Sequence, residues 1–426
     1  MRNLYPHLAT GRGRHGATLL LAAALAVAAA GCSTKGGSSP SAGGGSGGVK
    51  TGKGISGTTI TIGELTDLTG VFAALGKDVT NAQQLYWDQH NAKGGVCGKF
   101  QVKLDVKDHG YVVQNGVQLY SALKDNVLAI SQTIGSPINT ALKDKLQSDQ
   151  IVNIPEAWAA SLTDNPYNAV VGATYEIEMI NGIDYLLKQG KLAEGDTVGH
   201  IYFEGEYGEG GLAGSKYMAG KHKLTIVEEK IKSTDMDMTS QVTDLKSKGV
   251  KAILLTVAPG QTASTAGVAA SQGLNVPILG NNPVFAPGLL KTPSGAALKA
   301  NLYIASPVVS VANPAAAELT KAYAAKYPGT TQSAGVTHGY ADAAVMDAIL
   351  EKACANGDLT REGVFKAKQS LSAVDTGGLT GTLDYTKVGA SPTSQNFIAR
   401  PADVVGGIDT VTGLVTAPDV ADFKRA

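Results

Sequence analysis

The residues in this sequence best suited to chemistry are a glycine cluster, scattered histidines, one serine–lysine pair and a serine that opens a helix. "GEGGLA" at 208–213 fits G-x-G-x-x-A after a strand, with Glu228 and Glu229 about 20 residues further on, as a dinucleotide site requires. "EGEY" separates Phe203 from Gly208, so the glycines do not make the tight strand-to-helix turn that brings backbone onto a pyrophosphate. His90, His109, His200, His222 and His338 never pair at i, i+4 around a glutamate, which excludes a zinc-hydrolase helix and leaves each expected at the surface or in the core. "SALK" at 121–124 copies S-x-x-K but lies mid-helix without its companion motifs, and "TDMDM" at 234–238 lacks the remaining ligands of a cation loop. No catalytic residue, cofactor or metal is expected, and the chain does not read as an enzyme.

Binding chemistry is better supported. In "TIGSPINTALKDKL" (133–146), Ser136 is expected at an N-cap with Pro137 at N1. A hydroxyl beside free N–H groups at a helix N-terminus receives a carboxylate or phosphate without any fixed cation. Plain capping is the alternative.

The elements that would position such a site alternate along the chain. Strands are expected at 58–65, 100–106, 127–131 and 151–155, with helical stretches between them. The pattern restarts near Val198, with strands at 198–203, 224–231, 251–257 and 276–279 and helices at 209–220, 239–248 and 261–273. Two α/β units in tandem imply doubly wound parallel sheets whose ligands lie beyond the carboxyl ends of the strands. The last third, with a strand at 301–307 and helices at 314–326 and 336–355, is expected to return and complete both sheets.

Composition frames this reading. The 36 basic and 36 acidic side chains cancel, so no net field favours nucleic acid, and 43% hydrophobic residues can bury ordinary cores. Arg2, Arg12 and Arg14 precede the apolar run 17–30, the layout of a secretory signal peptide (1–31); the run is too short to remain as a transmembrane anchor. Residues 32–56 are rich in Gly and Ser and are expected to be a flexible tether. In an oxidising compartment the two remaining cysteines, Cys97 and Cys354, are expected to form a disulfide, with two buried free thiols as the alternative.

"AAGC" at 29–32 resembles the bacterial lipoprotein box, which implies lipidation of Cys32 and cleavage before it. "LTGVFAALGKDVTNAQQLYWDQHNAKGGVCGK" (68–99), "SLTDNPYNAVVGAT" (161–174), "EYGEG" (206–210) and "SQGLNVPILGNN" (271–282) follow in order. Together they resemble the leucine/isoleucine/valine-binding family of ABC-importer solute receptors. The resemblance implies a type I periplasmic binding fold, with lobe 1 at 57–172 plus 306–386 and lobe 2 at 173–305 plus 387–426. The crossovers would lie near 173, 305 and 387.

By position, the resemblance implies that Ser136 and the backbone of Ala157 take a ligand carboxylate, and that Tyr207 reaches in from the second lobe. Asn282 stands where amino-acid receptors of the family carry an acid for the ligand ammonium, and Trp158 where they carry a small hydroxyl residue. An ammonium without a paired anion is costly to bury, so a short-chain, aromatic or amide-bearing carboxylate competes with leucine-like ligands. Glu156, Glu204 or Glu206 could restore the anion, ordinary exposed loop charge being their other reading. The resemblance further implies a monomer tethered by lipid to the outer face of the cytoplasmic membrane, handing its ligand to an ABC permease. A sensor of the same fold is the alternative.

Overall fold

The computed structural model describes residues 48–425; the expected signal peptide, Cys32 and the tether as far as residue 47 lie outside the described residues. The chain runs β1 (Lys50–Thr51), β2 (Ile55–Ser56), β3 (Thr59–Thr66), α1 (Ala73–Ala92), β4 (Gln101–Asp108), α2 (Val113–Leu123), β5 (Ala129–Ile134), α3 (Ser136–Asp149) and β6 (Asn153–Glu156). It continues with α4 (Tyr175–Lys188), β7 (Thr197–Phe203), α5 (Glu206–His222), β8 (Thr225–Ile231), α6 (Thr239–Ser247), β9 (Ala252–Thr256), α7 (Pro259–Ser271), β10 (Ile278–Asn281), α8 (Gly295–Asn301) and β11 (Leu302–Ser306). The last part holds α9 (Ala317–Lys326), α10 (Ala334–Ala355), β12 (Asp358–Leu359), α11 (Arg361–Gln369), β13 (Phe397–Pro401) and β14 (Ile408–Thr410).

In the first sheet β3 pairs in parallel with β4 and β5, β5 with β6, and β2 folds back antiparallel on the start of β3. The second sheet runs β14-β13-β11-β10-β9-β7-β8, parallel except for β13 and β14 at one edge. Parallel strands buried on both faces need helices on both sides, which the alternating sequence supplies. The fold is therefore the two-lobed α/β architecture that the spacing predicts.

The last third divides between the two sheets. Helices α9 and α10 pack on α1 beside the first sheet, while β13 and β14 extend the second. Among the described residues no helix is long and apolar enough to cross a membrane.

Two differences from the sequence reading have physical causes. The folded part begins before residue 57: Lys50 N–H donates to Gly357 O at 2.9 Å and β1 pairs with β12, so the tether ends earlier than expected. Helix α4, which opens the second lobe, was not expected at all. Its residues from Tyr175 through Ile183 are all buried, Glu176 and Glu178 among them, so charge that reads as a solvated stretch is part of the interior.

Cys97 and Cys354 are joined, with Cα atoms 5.8 Å apart. Both are half-buried, at the loop after α1 and the end of α10.

Candidate ligand-binding cleft

Strands β5 and β6 end side by side, with Ile134 opposite Glu156, so the residues that follow them meet at the carboxyl edge of the first sheet. Gly135 takes φ +99°, and a Cβ there would lie 2.6 Å from the Tyr111 ring. This glycine, not Ser136, is the N-cap of α3; Ser136 is the first helical residue. The shift by one residue releases its hydroxyl from capping. Ser136 Oγ is buried near the Tyr175 hydroxyl and makes no hydrogen bond of ordinary length. Asn139 N–H donates to Gly135 O at 3.0 Å and Pro137 has no N–H, which leaves the Ser136 and Ile138 amides as the first-turn donors without an intrahelical acceptor.

A second loop of the first lobe delivers aromatic surface. Asp67 accepts from Thr69 N–H at 3.3 Å and Phe72 N–H at 2.9 Å, and this turn sets Phe72 against Tyr111 with ring centroids 4.9 Å apart. From the second lobe Tyr207 approaches Phe72 at 6.4 Å and Tyr175 at 4.7 Å; Tyr175 in turn contacts Trp158 at 6.0 Å. Six aromatic side chains, those five and Phe285, line a cavity of about 50 Å³ between the two sheets, and no lysine or arginine lines it.

The expected site residues can now be placed. Ser136, Trp158, Tyr207 and Asn282 line this cavity. Ala157 does not; it is fully buried between two lining residues, Glu156 and Trp158, because side chains alternate across the strand end. Tyr207 contributes only its ring, since its hydroxyl donates to Val257 O at 3.0 Å. Trp158 Nε1–H likewise donates to Val171 O at 2.8 Å, and its indole packs 5.0 Å from His338. Glu204 is exposed and Glu206 half-buried, and neither lines the cavity, whereas Glu156 does.

Two polar groups that the sequence did not single out as ligand contacts, His338 and Glu178, cluster with Asn282 and Glu156. His338, on α10, bonds through Nε2 to Asn282 Oδ1 at 3.1 Å and faces Glu156 Oε1 with Nδ1 at 3.4 Å. Asn282 N–H donates to Ala305 O at 3.0 Å and to Glu178 Oε2 at 3.1 Å, while Asn282 Nδ2 has no partner. Burial pushes the Glu178 carboxyl well up, and it pushes His338 down to about 3, so that imidazole is neutral. The His338–Asn282 bond crosses between the lobes. A lone histidine in a helix carries no spacing signal, and Glu178 is a buried acid in α4, a helix the sequence reading did not place.

The other chemical candidates are spent on the fold. The glycines of 208–213 lie inside α5: a Cβ at Gly208 would meet Phe203 O at 1.8 Å, and one at Gly211 would meet Thr256 Oγ1 at 2.1 Å. They let the helix lie close on the sheet. Glu228 pairs with Lys216 at 2.7 Å. His200 sits in the core between Ser215 Oγ and Thr256 Oγ1, both at 2.9 Å. His90, Asp347 and Glu351 have the donor set for a metal ion, but His90 already directs Nδ1 at Asp347 (3.3 Å) and Nε2 at Glu351 (3.7 Å). Tyr86 donates to Asp347 at 2.7 Å and Cys97 N–H to Glu351 at 3.0 Å, which completes a protein-only network.

An apolar cleft between two lobes, with unpaired donors at one end, is a receptor for a small organic molecule. The comparisons agree. A curated relative, the Leu/Ile/Val-binding protein homolog 3 of Brucella melitensis biotype 1, is 25% identical over 363 residues, covering 82% of this chain and 93% of its own. A solved fatty acid ABC transporter substrate-binding protein from Thermomonospora curvata matches with a TM-score of 0.86 at 42% identity, over 88% of this chain and 97% of that one. A branched chain amino acid ABC transporter structure from Thermus thermophilus with bound valine matches at TM-score 0.75 and 19% identity, over 85% and 98%. Residues 59–403 fit the periplasmic binding protein sequence family, and the chain belongs to it, among the ABC-transporter substrate-binding proteins.

Proposed function

We propose that this protein is the extracytoplasmic receptor of an ABC importer and that its ligand is an apolar carboxylate, nearer to a fatty or aromatic acid than to leucine. The carrying observation is the cleft itself: six aromatic side chains around a narrow cavity that opens at one end on Ser136 Oγ and the free first-turn amides of α3. The tail would lie along the rings. The head would be received by neutral donors, since no cationic side chain lines the cleft. Asn282 replaces the acid that an ammonium would need, and the 42% identical relative is named for fatty acids.

Closure follows from the same contacts. Phe72–Tyr207 and His338–Asn282 both bridge the lobes, so a ligand between the rings would bias the lobes toward the closed arrangement that a permease reads. The lipid anchor at Cys32, the monomeric state and delivery to a membrane permease belong to this proposal. Thermal unfolding of the full chain with octanoate, and separately with leucine, tests the ligand class; at 100 times Kd a true ligand adds about 2.7 kcal/mol. Stabilisation by leucine alone would return the site to amino acids. Membrane association that survives Cys32→Ser would remove the anchor.

A further inference from the structure

Beneath the polar end of the cleft lie three carboxyl groups, Glu64 on β3, Glu156 at the end of β6 and Asp342 on α10. Glu64 and Asp342 are fully buried, and the Glu156 side chain is 9% exposed. Both oxygens of Glu64, both of Asp342 and Oε2 of Glu156 accept no hydrogen bond of ordinary length. Among the described residues no lysine or arginine forms an ion pair with any of them, and the facing imidazole, His338, is neutral. The carboxyls of Glu156 and Asp342 face each other, with Asp342 as the protonated donor of the pair. Adjacent buried carboxylates cannot both ionise at low cost, so the pair holds a proton.

Glu156 is the member of this trio that lines the cleft. It also stands beside the receiving end for a carboxylate: Ile134 is its strand neighbour, and Gly135 N–H donates to Glu156 O at 3.2 Å, which places Ser136 next along the chain.

We infer that Glu156 acts as a protonated hydrogen-bond donor to the ligand's carboxylate, kept neutral by its burial beside an Asp342 that holds a proton of its own; the inference rests on the carboxylate reading above. One ligand oxygen would meet Ser136 Oγ–H and the α3 amides, the other the Glu156 hydroxyl. An ionised Glu156 would do the reverse, repelling a carboxylate and attracting an ammonium. The position is thus the specificity switch between acids and amino acids.

The surroundings support retention of the proton. Burial pushes Glu156 up to about 7, and pushes Glu64 and Asp342 well above the usual carboxylate range, the neighbouring Glu156 adding to the effect on Asp342. The titratable groups around the pair are His338 on α10, Tyr385 after α11, and Tyr175 and Glu178 on α4, whose own pKa values burial shifts toward the neutral form. None supplies a positive charge at neutral pH.

Calorimetric titration of the full chain with octanoate and with leucine, from pH 6 to pH 9, tests the assignment. The expected result is an octanoate Kd that rises toward about tenfold per pH unit above pH 7, with proton uptake on binding seen as a buffer-dependent enthalpy. Glu156→Gln keeps a donor and should hold the octanoate Kd within about threefold across that range, whereas Glu156→Leu should weaken it about tenfold even at pH 6. Wild-type octanoate binding that is flat in pH would overturn the assignment alone. Leucine binding that tightens with pH and disappears in Glu156→Gln would overturn it by making Glu156 the ammonium's anion. No octanoate binding at any pH would overturn the carboxylate reading and this assignment with it. The wild-type pH series and proton uptake decide the matter if a variant does not fold.

Discussion

Two buried acids, Asp78 on α1 and Asp342 on α10, have opposite environments. Asp78, on α1, is 5% exposed and accepts from Tyr323 OH at 2.6 Å, Ser333 N–H at 2.8 Å and Ser333 Oγ–H at 2.6 Å. Asp342, fully buried, accepts from no donor, and its partners are the carboxyls of Glu156 and Glu64. Burial raises the pKa of both, but Ser333 and Tyr323 oppose it at Asp78, while at Asp342 the neighbouring acids add to it. A carboxyl ringed by donors ties elements together, here α1, α9 and the N-terminus of α10. One ringed by other acids stores a proton, and a store that opens on a cavity is available to a ligand.

Breaking the donor-rich site should have the largest effect. Asp78→Ala strands three donors at once and should cost about 3 kcal/mol or more in urea unfolding at pH 7. A loss below about 1 kcal/mol would erase the contrast between the two sites.

The acid cluster should show itself through pH. A carboxyl whose folded pKa is raised binds a proton that the unfolded chain has already released, so it stabilises at low pH and the contribution is lost as pH rises. For Glu156 the window runs from its ordinary value of 4.5 to about 7. Across it, the stability of wild type relative to Glu156→Gln should fall by about 1.4 kcal/mol per pH unit. Parallel curves for the two proteins would show that Glu156 holds no extra proton.

The smallest effect sharpens the comparison from the cleft's other wall. Tyr207→Phe removes only the bond to Val257 O and should cost about 1 kcal/mol of stability, leaving octanoate affinity within about twofold. A large loss of affinity would mean that this hydroxyl turns to the ligand, and that a donor engaged in the fold can still serve binding.

The alternation of Ile60, Ile62 and of Val102, Leu104, with helical stretches between such strands, made the parallel sheets legible. Ser136 was legible from the helix start that follows a strand, and Tyr207 from the family resemblance; both line the cavity. The acid cluster was not. Glu64, Glu156, His338 and Asp342 come from a strand interior, a strand end and one helix, and only the packing of α10 across the first sheet brings them together. Glu156 looked like loop charge because glutamate is seldom buried, and a sequence does not display the absence of a counter-ion. Ala157 was expected for its backbone, and it does not line the cavity, its side chain pointing away from it.

The path of the chain also dictates when the molecule can be finished. The first sheet is spelled out by Glu156, yet α10, which covers α1 and supplies His338 and Asp342, begins only at Ala334, after the whole of β7 to β11. At synthesis rates of about 5–20 residues per second, the apolar side of α1 therefore waits on the order of ten seconds or more for its cover. The second sheet is in turn left without β13 until the last thirty or so residues appear. A nascent chain of this topology stays incompletely folded until it is nearly complete, which suits a polypeptide threaded across a membrane before it folds and makes any C-terminal truncation costly to both lobes at once.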